Sequence, residues 1–255
     1  MLDPAKIGAK AIALRETLEG NLERLIQAWL VVVGLASALR VAFTPVRGPV
    51  PAIEIFAPYL LLVIAPAVSM ALALRWFRDG DSMPQPTFRI ARVGRWQPVS
   101  LAQAKGHPLF GTDGIMVSLM VGLLINIPLR ALEYFAAMPA LAGNMPPWLA
   151  VLRMMMTVDV VVMTSLYAIA FVAALRRVPH FPRLMLAVWL LDLTLQLVTA
   201  QLVAAEPSLP ANVAGSLQGL LVGNVQKVMI SMALWLPYLM LSKRVNVTFR
   251  HRIPA

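Results

Sequence analysis

Asp159, Asp192 and Lys227 each stand inside a long apolar run of the sequence. A charge at the centre of such a run costs at least about 2.5–3.5 kcal/mol in a membrane unless it is paired. Groups kept at that cost can pass a proton, hold a polar solute, or lock helices in register by neutralising one another. At about 1.5 Å per residue, Asp159 lies about 15 Å into its run, near the midplane of a bilayer. Asp192 lies about 12 Å and Lys227 about 10 Å from one and the same side. Asp192 and Lys227 therefore share a level on antiparallel, consecutive helices, and the sequence predicts that they form an ion pair.

Neighbouring polar residues recur at helical spacing. Asp192, Gln196 and Thr199 form one stripe, and Ser118, Gly122, Asn126, Arg130 and Glu133 form another, in which Arg130 and Glu133 are expected to pair at i, i+3. Asn224 stands three residues before Lys227. The expected intramembrane polar network is Asp159, Asp192, Lys227, Gln196, Asn126 and Asn224. Gly215, Gly219 and Gly223 recur every four residues ahead of Lys227, a small-xxx-small pattern that predicts close helix packing with Lys227 directed to the same seam.

Other chemistries find less support. There is no cysteine, which excludes disulfides, thiolate nucleophiles and Cys-ligated metals. His107, His180 and His251 all fall between or after the apolar runs, which argues against haem, an intramembrane serine–histidine hydrolase or a buried imidazole metal site. Thr157-Val-Asp159 and Leu191-Asp192-Leu193 lack the Gly-x-Gly-Asp form expected of an intramembrane aspartyl protease. Met154, Met155, Met156, Met163 and Met229 read as adaptable packing rather than a Cu(I) site. No cofactor, metal or enzymatic activity is expected.

The elements that must position these residues follow from composition. Of 255 residues 59% are apolar and 13% charged, with mean hydropathy +0.74, against about 45–50% and 25% in soluble domains. That excess rules out a soluble enzyme, a disordered chain and a small disulfide scaffold. Six apolar segments run about 26–43, 53–76, 114–137, 149–175, 184–205 and 214–241, each near the ~20 residues that cross a bilayer. The fold class is all-α: a polytopic bundle of six transmembrane helices. Met1–Leu25 carries Ile7, Leu14, Leu18, Leu22 and Leu25 at helical spacing and reads as an amphipathic interfacial helix. Ala36-Ser37-Ala38 has the form of a signal-peptidase site, but the polar stretch before it is too long for an ordinary signal peptide, so the first span is read as uncleaved.

The formal charge of +10 is a topology signal. Lys6, Lys10, Arg15, Arg24, Arg75, Arg78, Arg89, Arg92, Arg95, Lys105, Arg176, Arg177, Arg183, Lys243, Arg244, Arg250 and Arg252 flank one side of the spans, and Arg47 alone occupies the opposite loops. The positive-inside rule places both termini in the cytoplasm. Trp76, Phe77, Trp235 and Tyr238 fit the inner interface, and Tyr134, Phe135 and Trp148 the outer one. Arg40, Glu54 and Arg153 lie near the outer interface, where they can snorkel. The expected organisation is residues 1–77 with two spans, a basic loop at 78–112, a four-span domain at 113–241, and a basic tail at 242–255. Phe88 and Trp96 among the loop's basic residues resemble a single-strand nucleic-acid surface, but contact with anionic lipid headgroups is the better reading, with no nucleic acid.

The closing run Trp235, Pro237, Tyr238, Ser242, Lys243, Arg244, Val245, Thr248 and Phe249 resembles the end of the YdgK-like family of small bacterial inner-membrane proteins. Gly122-Leu123 with Pro128-Leu129-Arg130 is similar to that family's first helix, so the resemblance covers roughly 110–255. It implies a four-helix membrane domain and a bacterial inner-membrane location, and no activity. Two features depart from it: two helices precede the domain, and Asp113-Gly114-Ile115 replaces a Gly-Gly-Trp entry. The expected function is a non-catalytic accessory, assembly or lipid-contacting subunit, with a membrane-protein partner or a second copy left open. The alternative is a small solute transporter or proton conduit using the buried Asp/Lys network. A cavity reaching the charges favours transport; a dry, fully paired cluster favours the scaffold.

Overall fold

A computed structural model describes residues 4–44, 46–47, 49–87, 94–138, 142–143 and 145–255. Nine helices are described: α1 (Pro4–Gly20), α2 (Leu22–Ala42), α3 (Ala52–Trp76), α4 (Leu101–Lys105), α5 (Ile115–Ala137), α6 (Pro147–Leu175), α7 (Phe181–Ala204), α8 (Ala211–Leu241) and α9 (Lys243–Arg250). Six of them, α2, α3, α5, α6, α7 and α8, are long and apolar enough to cross a membrane. The chain is an all-α, multi-pass membrane protein. Pro58 and Pro66 lie within α3, Pro128 within α5 and Pro237 within α8, which membrane helices tolerate because neighbours re-satisfy the freed carbonyls.

Helix α6 is the hub. It packs against α3, α5 and α7, while α2 lies on α3 and α8 on α7. The sequence explains this place: Ala168, Ala170, Ala173 and Ala174 are all buried at the end of α6, where small side chains let neighbouring backbones approach. About two-thirds of the apolar window of α6 is buried, against 11% for α2 and for α8. One end of the core holds Met116, Met120, Phe171, Phe181, Trp189 and Phe249, and the other clusters around Tyr59, Leu62 and Tyr134.

The N-terminal amphipathic face is partly realised. Leu22 is buried and Leu18 and Leu25 pack against the core, but Leu14 is exposed; the side chain of Ile7 lies outside the described residues. The first span begins at Leu22 rather than near 26, and α2 runs unbroken through Ala36-Ser37-Ala38. An Arg15–Asp113 ion pair at 3.2 Å ties α1 to the start of α5. On the opposite side, β1 (Val46–Arg47) pairs in parallel with β3 (Ala142–Gly143). Arg40 Nη2 donates to the Met138 carbonyl at 2.8 Å and Arg153 Nη2 to the Glu54 carbonyl at 2.8 Å, so Arg40 holds the end of α5 and Arg153 the first turn of α3.

The expected basic tail is a folded cap. Within α9, Val245, Asn246, Val247, Thr248 and Phe249 are buried. Thr248 Oγ1 receives the Gly111 amide at 3.0 Å and meets the Gly111 carbonyl at 3.1 Å; Phe249 packs on Phe181 with ring centroids 5.2 Å apart. Beyond it, β4 (Arg252–Pro254) pairs antiparallel with β2 (Trp96–Pro98) from the 78–112 segment. Ser100 and Gln103 cap α4 reciprocally, and Lys105 pairs with Asp81 at 2.9 Å. Loop and tail thus close one end of the bundle together. Phe88, Arg89 and Arg92 lie outside the described residues.

Candidate functional site

Helices α5, α6 and α7 bring Arg130, Asp159 and Asp192 to one point near the middle of the bundle. Arg130 Nη1 donates to Asp159 Oδ2 at 3.0 Å, and Nη2 bonds Asp192 Oδ2. Tyr167 of α6 adds its hydroxyl to Asp192 Oδ2 at 3.1 Å, and the Arg130 guanidinium stands 5.4 Å from the centre of the Tyr167 ring. A planar fork of donors suits two acceptors at once, which a lysine ammonium does less well. The Asp192 side chain is 0% exposed and those of Arg130 and Asp159 are 13% exposed. Among the described residues Asp192 Oδ1 and Arg130 Nε are buried without a hydrogen-bond partner.

From this point a chain of hydrogen bonds runs outward. Gln196 Nε2 donates to Asp159 Oδ1 at 3.2 Å, Asn224 Nδ2 to Gln196 Oε1 at 3.4 Å, and Lys227 Nζ to Asn224 Oδ1 at 3.5 Å. Lys227 Nζ then meets Glu133 Oε1 at 2.7 Å. Burial falls along the series, with the Lys227 and Glu133 side chains 63% and 42% exposed. The sequence-predicted Asp159, Asp192, Gln196, Asn224 and Lys227 all belong to this series. Asn126 lines the same groove one turn before Arg130.

Two expected pairings are corrected. Lys227 pairs with Glu133 and not Asp192, while Arg130 pairs with the two aspartates and not Glu133. Depth along a helix gives height but not azimuth. Asp192 faces inward toward α6, whereas α8 sits at the edge of the bundle, so Lys227 reaches α5 across the groove instead. Tyr167 was missed: an aromatic in an apolar run carries no sequence signal of its own. Its position eight residues after Asp159, roughly two turns on, was the available clue.

The groove is a cavity of about 550 Å³ between α5 and α8, floored by α6 and α7. Asp159, Arg130, Tyr167 and Trp189 line its inner part, and Glu133, Lys227, Gly219 and Gly223 its mouth. The glycines also depart from expectation. A Cβ built on Gly215, Gly219 or Gly223 would meet nothing within 4 Å, so among the described residues they form no packed seam. Gly219 and Gly223 instead keep the groove open. Three carboxylates, Asp159, Asp192 and Glu133, face two cations, Arg130 and Lys227, so the cluster carries one formal negative charge. Such a site can take up a proton or a small cation. Among the described residues no group of three or more His, Asp or Glu side chains is placed to hold a metal ion.

No curated protein and no solved structure matches the chain. The cluster and its groove lie within residues 111–250, which match the family described as Protein of unknown function (DUF2569), and the chain belongs to that family.

Proposed function

We propose that this protein is a small carrier or conduit that passes a proton, or a small cationic solute, through the α5–α8 groove. The observation that carries the reading is the cavity itself: it reaches from an open mouth at Glu133 and Lys227 to the buried Arg130–Asp159 pair. A purely structural ion-pair cluster has no need of such a space, since packed side chains would exclude it. The chain of hydrogen bonds from Asp192 to Glu133 supplies a relay along its wall, and the missing positive charge supplies an affinity for the ion. The reading is non-enzymatic and needs no cofactor. The distribution of basic residues supports a topology with both termini cytoplasmic, and the resemblance of the closing run to the YdgK-like family supports a bacterial inner-membrane location.

Purified protein in liposomes bearing a pH gradient should dissipate it faster than protein-free liposomes, and Asp159→Asn should abolish the difference while remaining folded. No flux above background from the wild-type chain would overturn the reading. A second reading, an accessory subunit, is favoured by one feature: α8 packs along α7 and leaves its glycine face open. A partner helix filling the groove would exclude transport, and co-purification of a stoichiometric membrane protein would decide for it.

A further inference from the structure

A second cavity, of about 170 Å³, lies at the capped end of the bundle, between the first turn of α7, the last turns of α8 and the α9–β4 junction. Its polar wall holds Arg183, Arg250, His251 and Arg252, and its apolar floor includes Leu236 and Leu239. Arg250 Nη1 donates to the Met240 carbonyl at 3.3 Å and to Asn246 Oδ1 at 3.0 Å, and Arg252 Nε donates to that same Asn246 oxygen at 2.7 Å. Two guanidiniums therefore converge on one neutral acceptor. Burial first, then the like charges of Arg252 and Arg183, push the Arg250 guanidinium down to about 10.

His251, which lines the same cavity, adds a ring donor. The Gln85 amide nitrogen donates to the Phe249 carbonyl at 3.2 Å, which can only accept, and this fixes the amide's orientation. The same nitrogen lies 3.2 Å from His251 Nδ1, which must then accept, so the proton of the neutral ring sits on Nε2. Nε2 is buried and has no hydrogen-bond partner among the described residues, and the residue is 9% exposed. The backbone holds His251 in the left-handed region at φ 43°, where glycine or asparagine is the usual choice. The carboxylate that acts on His251, Asp81, is already paired with Lys105 at 2.9 Å.

We propose that this cavity binds a phosphate group, whose oxygens take hydrogen bonds from Arg250, Arg252 and His251 Nε2 with Arg183 adding charge. A phosphate offers several strong acceptors to a cluster of donors, and guanidiniums bind it in bidentate fashion. The apolar floor on the terminal turns of a membrane-length helix suits a lipid phosphate, with its acyl chain along Leu236 and Leu239; a free phosphate satisfies the same donors.

The full chain, purified in neutral detergent, is titrated with inorganic phosphate, with dioctanoyl phosphatidate and with dioctanoylglycerol, reading melting temperature and bound mass by native mass spectrometry. One saturable site for a phosphate carrier, with none for dioctanoylglycerol, is the expected result. Preference for phosphatidate assigns the lipid source, and equal or better binding of inorganic phosphate assigns the soluble one. Arg250→Met should weaken binding about tenfold or more, while Arg78→Met, at an exposed basic position outside the cavity lining, should not. Where Arg250→Met does not fold, His251→Asn carries the test, since asparagine suits the backbone and removes the ring donor; binding about threefold weaker is expected. Failure of both phosphate carriers to saturate, or wild-type affinity in Arg250→Met or in a folded His251→Asn, would overturn the proposal.

Discussion

Arg130 serves two carboxylates at once, Asp159 through one terminal nitrogen and Asp192 through the other. The three residues come from three different helices, so one side chain joins α5, α6 and α7 at a single point. Removing it leaves two buried acids with no cation between them. Arg130→Met should cost about 3–5 kcal/mol, the usual penalty for stranding a buried charge. Arg130→Lys should recover little, because a point ammonium lacks the planar fork. Adding Asp159→Asn and Asp192→Asn to Arg130→Met should restore part of the loss. Detergent melting curves of the wild type and these three variants check this, and an unshifted Arg130→Met curve would reject the shared-cation arrangement.

Lys227 provides an independent check of connectivity. Because it bonds Glu133 at 2.7 Å and Asp192 bonds Arg130, a double-mutant cycle on Asp192→Asn and Lys227→Met should be close to additive. The cycle on Glu133→Gln and Lys227→Met should show coupling, held below about 1 kcal/mol because both side chains are well exposed in the groove. Coupling in the first cycle larger than in the second would restore the pairing that depth alone suggested.

The spans and the residues of the polar series were legible because hydropathy and helical spacing report on one helix at a time. Six runs of sufficient length are visible without any tertiary information. The partners within the series were less so: Arg130 and Glu133 are adjacent on one helix face, yet Arg130 turns inward and Glu133 crosses to α8. Azimuth and side-chain reach decide this, and spacing encodes neither. The tail misled in another way. Lys243, Arg244, Arg250 and Arg252 read as a basic tail that reports topology, whereas Val245, Val247 and Phe249 between them form a buried face against the 78–112 segment and α7.

Substitution of the α8 glycines separates groove from seam. No atom stands within 4 Å of a Cβ at Gly219 or Gly223, so Gly219→Leu and Gly223→Leu should fold as well as the wild type, with leucine the better helix former by up to about 1 kcal/mol. Both should lose proton flux in liposomes, since the added side chain projects into the cavity these glycines line. A loss of stability above about 1 kcal/mol would instead reveal a helix from another molecule packed on this face.

The basic residues predict the orientation in the membrane. Reporters fused after residue 145 or 209 should appear outside, and those after 95, 180 or 255 inside. A cytoplasmic signal at 145 would break the six-span topology.

Acid should weaken the cap. Burial, the largest influence, and the Lys105 charge lower the His251 pKa below its usual value, against the opposing pull of Asp81. Arg250 and Arg252, on either side of it in sequence and lining the same cavity, add no negative charge to favour an imidazolium. A histidine whose folded pKa is depressed binds fewer protons folded than unfolded, so its neutral form is the one the fold accommodates. The stability it contributes is complete above the unfolded pKa of about 6.5 and is lost as pH falls through that value toward the folded pKa. With phosphate absent, melting temperature should therefore drop between about pH 7.5 and 5. His251→Asn should flatten that drop while leaving the neutral-pH melting temperature lower. A melting temperature that rises on acidification in the wild type would mean that the imidazolium, not the neutral ring, is the form this cap holds.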